Sequence, residues 1–146
     1  MTRMKLSVSA AAAAFFGGFT GCDGDVGHDN NTSDDDPIEL VGTWATDFGE
    51  ETISATRWDG FCLQKIERYD NEANVGVLET IGGDGCGLGF SRVIWNDIAN
   101  NVFYYCTTAF GLPTAAEAAA APEVNIDDGD MAKGCSTFPW SKLTRK

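Results

Sequence analysis

The sequence predicts a mainly β fold, either a strongly curved antiparallel sheet or a small barrel, with one short α-helix and two disulfides. Three observations carry this prediction. Short segments rich in β-branched and aromatic residues alternate with turn-like segments, several of these strands place aromatic residues on both faces, and four cysteines follow the N-terminal region. The predicted strands span residues 38–48, 51–58, 61–69, 75–81, 90–95 and 102–108.

The segments between these strands have the composition of turns. Residues 70–74 and 96–101 are rich in Asn and Asp, and residues 82–89 contain five glycines together with Cys86. Each connection is short enough for a hairpin, so we expect consecutive strands to pair antiparallel.

The strands do not alternate cleanly between apolar and polar residues. Phe103, Tyr104 and Tyr105 are consecutive, so aromatic side chains must occupy both faces of that strand. A sheet with one face in water would alternate instead. We therefore expect both faces to be partly covered, as in a small barrel with a helix on its outside.

That helix is predicted directly after Pro113. Thr114 and Glu117 have the spacing of a capping box, in which the Thr hydroxyl accepts from a backbone amide and Glu117 reaches back. A run of alanines favours the helix, and Pro122 ends it after about two turns.

The four cysteines of the predicted domain indicate two disulfides in an oxidising compartment. Three pairings are open, and Cys62–Cys86 with Cys106–Cys135 is favoured because each joins neighbouring segments without crossing. Because a bridge restricts the unfolded chain, each is expected to stabilise the fold by about 3–4 kcal/mol. A four-cysteine zinc site is the alternative, but the sequence has no Cys-x-x-Cys pair.

The N-terminal residues have the layout of an export signal. A basic start with Arg3 and Lys5 precedes an apolar run of 14 residues, shorter than the roughly 20 needed to cross a bilayer. Small residues and Cys22 follow. The predicted organisation is a signal peptide over 1–21, an acidic flexible tether over 22–37 and a disulfide-stapled β domain over 38–146.

Phe19-Thr20-Gly21-Cys22 resembles the lipobox of bacterial lipoproteins, although Phe stands where Leu is usual. The resemblance implies that Cys22 carries a diacylglycerol and an amide-linked acyl chain such as palmitate, which together anchor the chain in a bilayer. The implied location is the cell envelope, at the periplasmic face of the inner membrane or in the outer membrane. A plain cleaved signal and an uncleaved anchor are the alternatives.

Charge excludes one class of partner. Without residues 1–21 the chain has eight basic and 22 acidic residues, a net charge of −14. Such a surface repels nucleic acid, so we expect no nucleic-acid binding. The acidic tether loosely resembles a calcium loop, but His28 stands where that loop requires Gly. The sequence therefore predicts no metal site and no cofactor.

Gly42-Thr43-Trp44 resembles the G-x-W signature of lipocalin and calycin barrels. That resemblance implies a calycin-like barrel in which the Trp closes the base under a basic residue, here Arg145 or Arg92. The six predicted strands fall short of the eight that a lipocalin has.

More broadly, residues 38–143 resemble a group of small uncharacterised lipoproteins of Gram-negative bacteria, and this likeness implies no particular activity. It rests on the Gly-Thr-Trp opening, Tyr69-Asp70-Asn71, Tyr104-Tyr105-Cys106, the Ala-rich helix, Gly134-Cys135 and Phe138-Pro139-Trp140.

Catalytic motifs are missing from the predicted domain. The single histidine, His28, lies in the tether, and the glycine-rich 82–89 segment has no Lys for a phosphate loop. We predict no catalytic residue. A carboxylate-dependent hydrolase using Glu67, Asp70 or Glu79 is a distant alternative.

The predicted function is a non-catalytic binding or structural domain of the envelope. In one version a cup holds a small apolar ligand against three candidate binding residues, Trp44, Trp58 and Trp95. In the other the aromatic residues are core, and the outer surface contacts another envelope protein.

Overall fold

The computed structural model describes residues 36–122, 125–136 and 138–146. The predicted signal peptide, the lipobox-like segment and nearly all of the predicted tether lie outside these residues. The described chain forms eight strands and one helix: β1 (Gly42–Thr46), β2 (Gly49–Ile53), β3 (Arg57–Asp59), β4 (Leu63–Asp70), β5 (Val75–Gly82), β6 (Gly89–Trp95), β7 (Val102–Leu112), α1 (Ala115–Ala119) and β8 (Ser141–Arg145).

These strands form a closed antiparallel barrel in which each strand pairs with its neighbours in sequence. β8 closes the barrel by pairing antiparallel with both β7 and β1. Closure pairs both edges of the sheet, so the described strands leave no open sheet edge. The mainly β fold predicted from the sequence is confirmed, and of its two forms the barrel is the observed one.

The predicted number of strands was too low by two. The predicted strand over 51–58 is interrupted at Ser54, whose hydroxyl accepts from the amide of Arg57 at 3.1 Å and closes a tight turn between β2 and β3. β8 lies in the tail, where no strand was predicted. The predicted strand over 38–48 begins only at Gly42, because residues 38–41 form a turn.

The predicted turns are confirmed, and asparagine conformation explains two of them. Asn74, Asn100 and Asn101 all have positive φ, which Asn tolerates better than most residues. Helix α1 also lies as predicted, packed on the outside of β5, β6 and β7 with Ala118 fully buried. The Thr114 hydroxyl accepts from the amide of Glu117 and donates to its carboxylate, so Glu117 contacts the cap hydroxyl.

Both favoured disulfides are present. Cys106–Cys135 ties β7 to the tail, with the two Cα atoms 5.4 Å apart, and both cysteines are buried. They belong to a cluster on the outer face of the sheet together with Trp140, Ile94, Tyr104, Ile126 and Met131. Cys62–Cys86 ties the β3–β4 turn to the glycine-rich β5–β6 loop. The prediction that both sheet faces are covered is confirmed by this outer cluster.

Candidate functional site

One end of the barrel is closed by the chain that leads into β1. Trp44 is fully buried there, and its indole N–H donates to the carbonyl of Leu40 at 2.8 Å. The Arg145 guanidinium lies 4.4 Å from the centre of the Trp44 ring, and its Nη1 donates to the carbonyl of Val41 at 3.3 Å. Ile38 and Leu40 are buried against the same core, so this end is sealed.

Gly42 allows this arrangement. Its φ is +153°, which side-chain-bearing residues rarely adopt, and a Cβ there would lie 3.2 Å from Arg145 Nη1 and 3.5 Å from Trp44 Nε1. Gly42 therefore leaves the space in which the Arg145 guanidinium lies over the Trp44 ring. Arg92, the other basic residue considered for this contact, lines a different part of the surface.

Aromatic rings fill the barrel above the closed end. Trp44 packs edge-on against Phe103 with ring centres 4.6 Å apart, and Phe103 in turn packs against Trp58. Trp58 then contacts Tyr105 at 5.0 Å. This column of rings runs through the interior and ends at Trp58 and Tyr105.

Beyond these two rings the interior opens into a cavity of about 180 Å³. Strands β2, β3, β4, β6 and β7 contribute to its wall, as does the β3–β4 turn. The lining residues are Glu51, Trp58, Gly60, Phe61, Cys62, Gln64, Val93, Tyr105 and Thr107. We call this space the mouth cavity. Most of its side chains can form hydrogen bonds, in contrast to the apolar column below it.

Glu51 is the acidic residue of the mouth cavity. Strand pairing places it opposite Trp44, on the inner face of β2. Its Oε2 accepts from the indole N–H of Trp58 at 2.6 Å. Burial raises the pKa of Glu51 above its ordinary value, and hydrogen bonds from Trp58 and Tyr105 oppose that rise.

Tyr105 faces Glu51 across the cavity. Burial, reinforced by the nearby Glu51 charge, raises the pKa of Tyr105 to about 12. Its hydroxyl therefore stays protonated at neutral pH and can donate to the Glu51 carboxylate. The pair is a preformed polar site inside an aromatic wall.

Gly60 makes room for the Glu51 side chain. A Cβ at Gly60 would lie 2.5 Å from Glu51 Cγ, so any larger residue would displace the carboxylate. On β4, where Gln64 is the strand partner of Trp58, the Gln64 side-chain amide donates to the Thr80 hydroxyl at 3.4 Å. Its carbonyl oxygen remains an additional acceptor near the cavity.

The three candidate tryptophans do not line one cup. Trp44 lies in the sealed end and Trp58 borders the mouth cavity. Trp95 donates its indole N–H to Glu39 at 2.6 Å and borders a separate cleft of about 650 Å³. That cleft lies beside the turns at 71–74 and 96–101 and reaches Trp140 in the tail.

The acids considered for hydrolysis lie elsewhere on the barrel. Glu67 pairs with Lys65 at 2.7 Å, and this hydrogen bond, followed by the charges of Glu67 and Glu79, raises the pKa of Lys65. Asp70 accepts the amides of Glu72 and Ala73 within the β4–β5 turn. None of the three lines the mouth cavity.

Sequence reasoning had not selected Glu51, Gln64, Tyr105 or Thr107. A signal existed for Glu51, because it alternates with the buried Ile53 and so shares the inner face of its strand. To identify Glu51 as an inward-facing residue, one must know where β2 begins and how it pairs with β1. The polar residues 49–51 hide the start of this strand in the sequence.

No family model matches the chain, and neither a curated protein nor a solved structure matches it. In the part of the chain that the structure describes, no group of three or more His, Cys, Asp or Glu side chains is placed to hold a metal ion. No helix within that same part is long and apolar enough to cross a bilayer.

Proposed function

We propose that this chain is a lipid-anchored protein of the bacterial cell envelope and that its barrel is a non-catalytic binding module with the mouth cavity as its site. The acyl chains on Cys22 would hold it at the membrane, as the lipobox resemblance implies. The observation that carries the binding role is the Glu51 carboxylate between Trp58 and Tyr105.

A partly buried carboxylate is an unusual choice for a barrel interior. Removing a charge from water costs free energy, and the Trp58 and Tyr105 hydrogen bonds oppose that cost only in part. An apolar residue at the end of the aromatic column would avoid the cost. Retention of a carboxylate at such a site is typical of residues that serve a ligand.

The size and lining of the mouth cavity define the ligand class. Its volume corresponds to about six water molecules, below the roughly 300–1,000 Å³ of pockets for drug-sized ligands. A negative group, hydroxyls and aromatic faces together favour a small cation, such as a primary ammonium on a short alkyl stem. An apolar ligand would leave the negative charge of Glu51 without a counter-ion.

The same lining argues against hydrolysis. Glycoside cleavage by carboxylates requires two acids within about 10 Å on either side of the bond. Among the described residues that line the mouth cavity, Glu51 is the one acid. Binding without catalysis is therefore the function that this chemistry favours.

Titration of the mature chain with n-butylammonium tests the proposal. We expect saturable quenching of tryptophan emission and NMR shifts confined to the cavity wall, while n-butanol and butyrate have neither effect. Glu51→Gln should abolish the response and the surface variant Glu67→Gln should keep it. A response that is the same for butanol, or one that survives Glu51→Gln, would overturn the proposal.

A further inference from the structure

The open end of the barrel carries exposed apolar side chains, and one of them borders the mouth cavity. Phe48 lies in the β1–β2 turn, Phe61 in the β3–β4 turn, Leu88 in the β5–β6 loop and Phe110 near the end of β7. Their exposed fractions are 93%, 75%, 73% and 68%, the four highest among the exposed large hydrophobic residues. We call these four residues the apolar rim.

The apolar rim lies at one end because the barrel is a simple meander. Every second connection returns to the same end, so the β1–β2, β3–β4 and β5–β6 connections and the end of β7 meet there. Phe61 belongs both to the apolar rim and to the lining of the mouth cavity. Phe61 thus links the apolar rim to the Glu51 site.

Charge distinguishes this surface from a generic hydrophobic patch. The β1–β2, β3–β4 and β5–β6 connections contain Asp47 and Asp84 and have no Lys or Arg, and Glu51 lies inside the mouth cavity. Exposed apolar surface around an acidic centre is complementary to a segment with the opposite pattern, a cation flanked by apolar residues.

The opposite end of the barrel receives the chain from the tether. The Tyr69 hydroxyl donates to the carbonyl of Asp36, and the Asn71 side chain donates to the carbonyl of Pro37. A lipid anchor attached through residues 22–35 would therefore leave the open end free. Anionic lipid would also be repelled by the acids at the open end.

Glu51 geometry favours lysine over arginine as the central cation. Its Oε2 already accepts from Trp58, so one of the acceptor positions that a bidentate guanidinium pair would use is partly occupied. A lysine ammonium can bond to a single carboxylate oxygen, and its narrow alkyl stem can pack along the Trp58 and Tyr105 rings that line the cavity.

We infer that the open end docks an apolar segment of a partner protein, inserting one lysine side chain into the mouth cavity against Glu51 while its neighbours cover the apolar rim. This inference rests on the proposed function, since it uses the same cavity, and it adds the partner class and the surrounding contact surface.

A capped nonapeptide with a central lysine between leucine and phenylalanine neighbours tests this inference in full-length mature protein carrying Cys22→Ser. We expect calorimetry to give a dissociation constant at least on the order of tenfold lower than that of n-butylammonium. Acetylation of the lysine should abolish binding, and its replacement by arginine should weaken it.

Variants of the apolar rim separate docking from the cavity itself. Phe61→Ser and Leu88→Ser should each weaken peptide binding roughly tenfold or more while n-butylammonium binding stays unchanged. Phe138→Ser is the matched control, because Phe138 is also exposed (62%) but pairs with Cys135 of the outer cluster. Unchanged melting temperatures establish that the variants remain folded.

Each outcome points in one direction. If n-butylammonium binds but the peptide binds no more tightly, the docking inference is wrong and the proposed function stands. If neither binds, both are wrong. Peptide binding that tolerates lysine acetylation, or sedimentation with phosphatidylglycerol vesicles that depends on the apolar rim, would also overturn docking to a protein segment.

Discussion

Arg145 in the last strand lies over the Trp44 ring in the first strand, with its guanidinium carbon 4.4 Å from the ring centre. The two residues are also direct partners in the β1–β8 ladder, so the contact is made where the barrel closes. A cation–π contact in a partly desolvated position contributes about 0.5–2 kcal/mol. The pair therefore stabilises closure as well as the seal at this end.

Trp44 should be a structural residue. Trp44→Ala should lower the free energy of unfolding by about 3–5 kcal/mol, because it empties the bottom of the aromatic column. Trp44→Phe, which keeps a ring against Phe103, should cost much less. Urea denaturation measures both. If Trp44→Ala left stability intact and abolished ligand binding, Trp44 would be a site residue instead.

The two disulfides should differ in their contribution to stability. They enclose loops of similar length, with sequence separations of 24 and 29. The loss of loop-closure entropy in the unfolded chain therefore predicts that each bridge stabilises the fold by about 3–4 kcal/mol. Cys106–Cys135 is also packed in the buried outer cluster. Replacing both of its cysteines with Ala should therefore cost more than the same change at Cys62 and Cys86. Equal losses in urea denaturation would show that the buried packing contributes little.

The β fold, the helix and the disulfide pairing could be predicted because each depends on local pattern or on chain spacing. β8 could not. Ser141–Arg145 buries one apolar side chain, Leu143, and its strand conformation depends on pairing with β1 and β7. Strand propensity is decided largely by such tertiary neighbours.

The mouth cavity could not be predicted for a related reason. Glu51, Gln64, Tyr105 and Thr107 come from three strands, β2, β4 and β7, and the register brings them together. From the sequence alone, tryptophans are the most prominent candidates for ligand contacts. In the barrel, Trp44 and Trp95 lie away from the mouth cavity. Their indole N–H groups donate to the carbonyl of Leu40 and to the carboxylate of Glu39.

The proposed lipid anchor can be tested at Cys22. Cys22→Ala should leave the chain either soluble in the periplasm or unprocessed, since the lipid-bearing thiol is lost. Detergent partitioning and the mass of the recovered protein measure the change. Gly21→Ser is a conservative control, which should keep both processing and detergent partitioning because the residue before the cysteine stays small. Recovery of normally processed, detergent-requiring Cys22→Ala protein would rule out lipidation.

Glu51 should make the stability of the protein depend on pH in a defined direction. Because burial raises its pKa in the folded state, the folded protein holds this proton more tightly than the unfolded chain does. The contribution of Glu51 to the free energy of unfolding is thus fully present below the pKa that this residue has in the unfolded chain. It is lost as the pH rises through the higher pKa of Glu51 in the folded protein. Glu51→Gln does not titrate, so its stability relative to wild type should increase as pH rises from about 4 toward 7.

Urea denaturation at a series of pH values measures this difference, and its slope is the informative quantity. A lost hydrogen bond to Trp58 or Tyr105 in Glu51→Gln would shift the whole curve without changing the slope. Tyr105, the other titratable group facing Glu51, stays protonated over this range because its pKa is raised to about 12. Asp84→Asn in the exposed β5–β6 loop controls for the loss of one negative charge. If wild type instead gained stability over Glu51→Gln as pH rose, the Trp58 and Tyr105 donors would outweigh burial, and the carboxylate would be a stabilising part of the core.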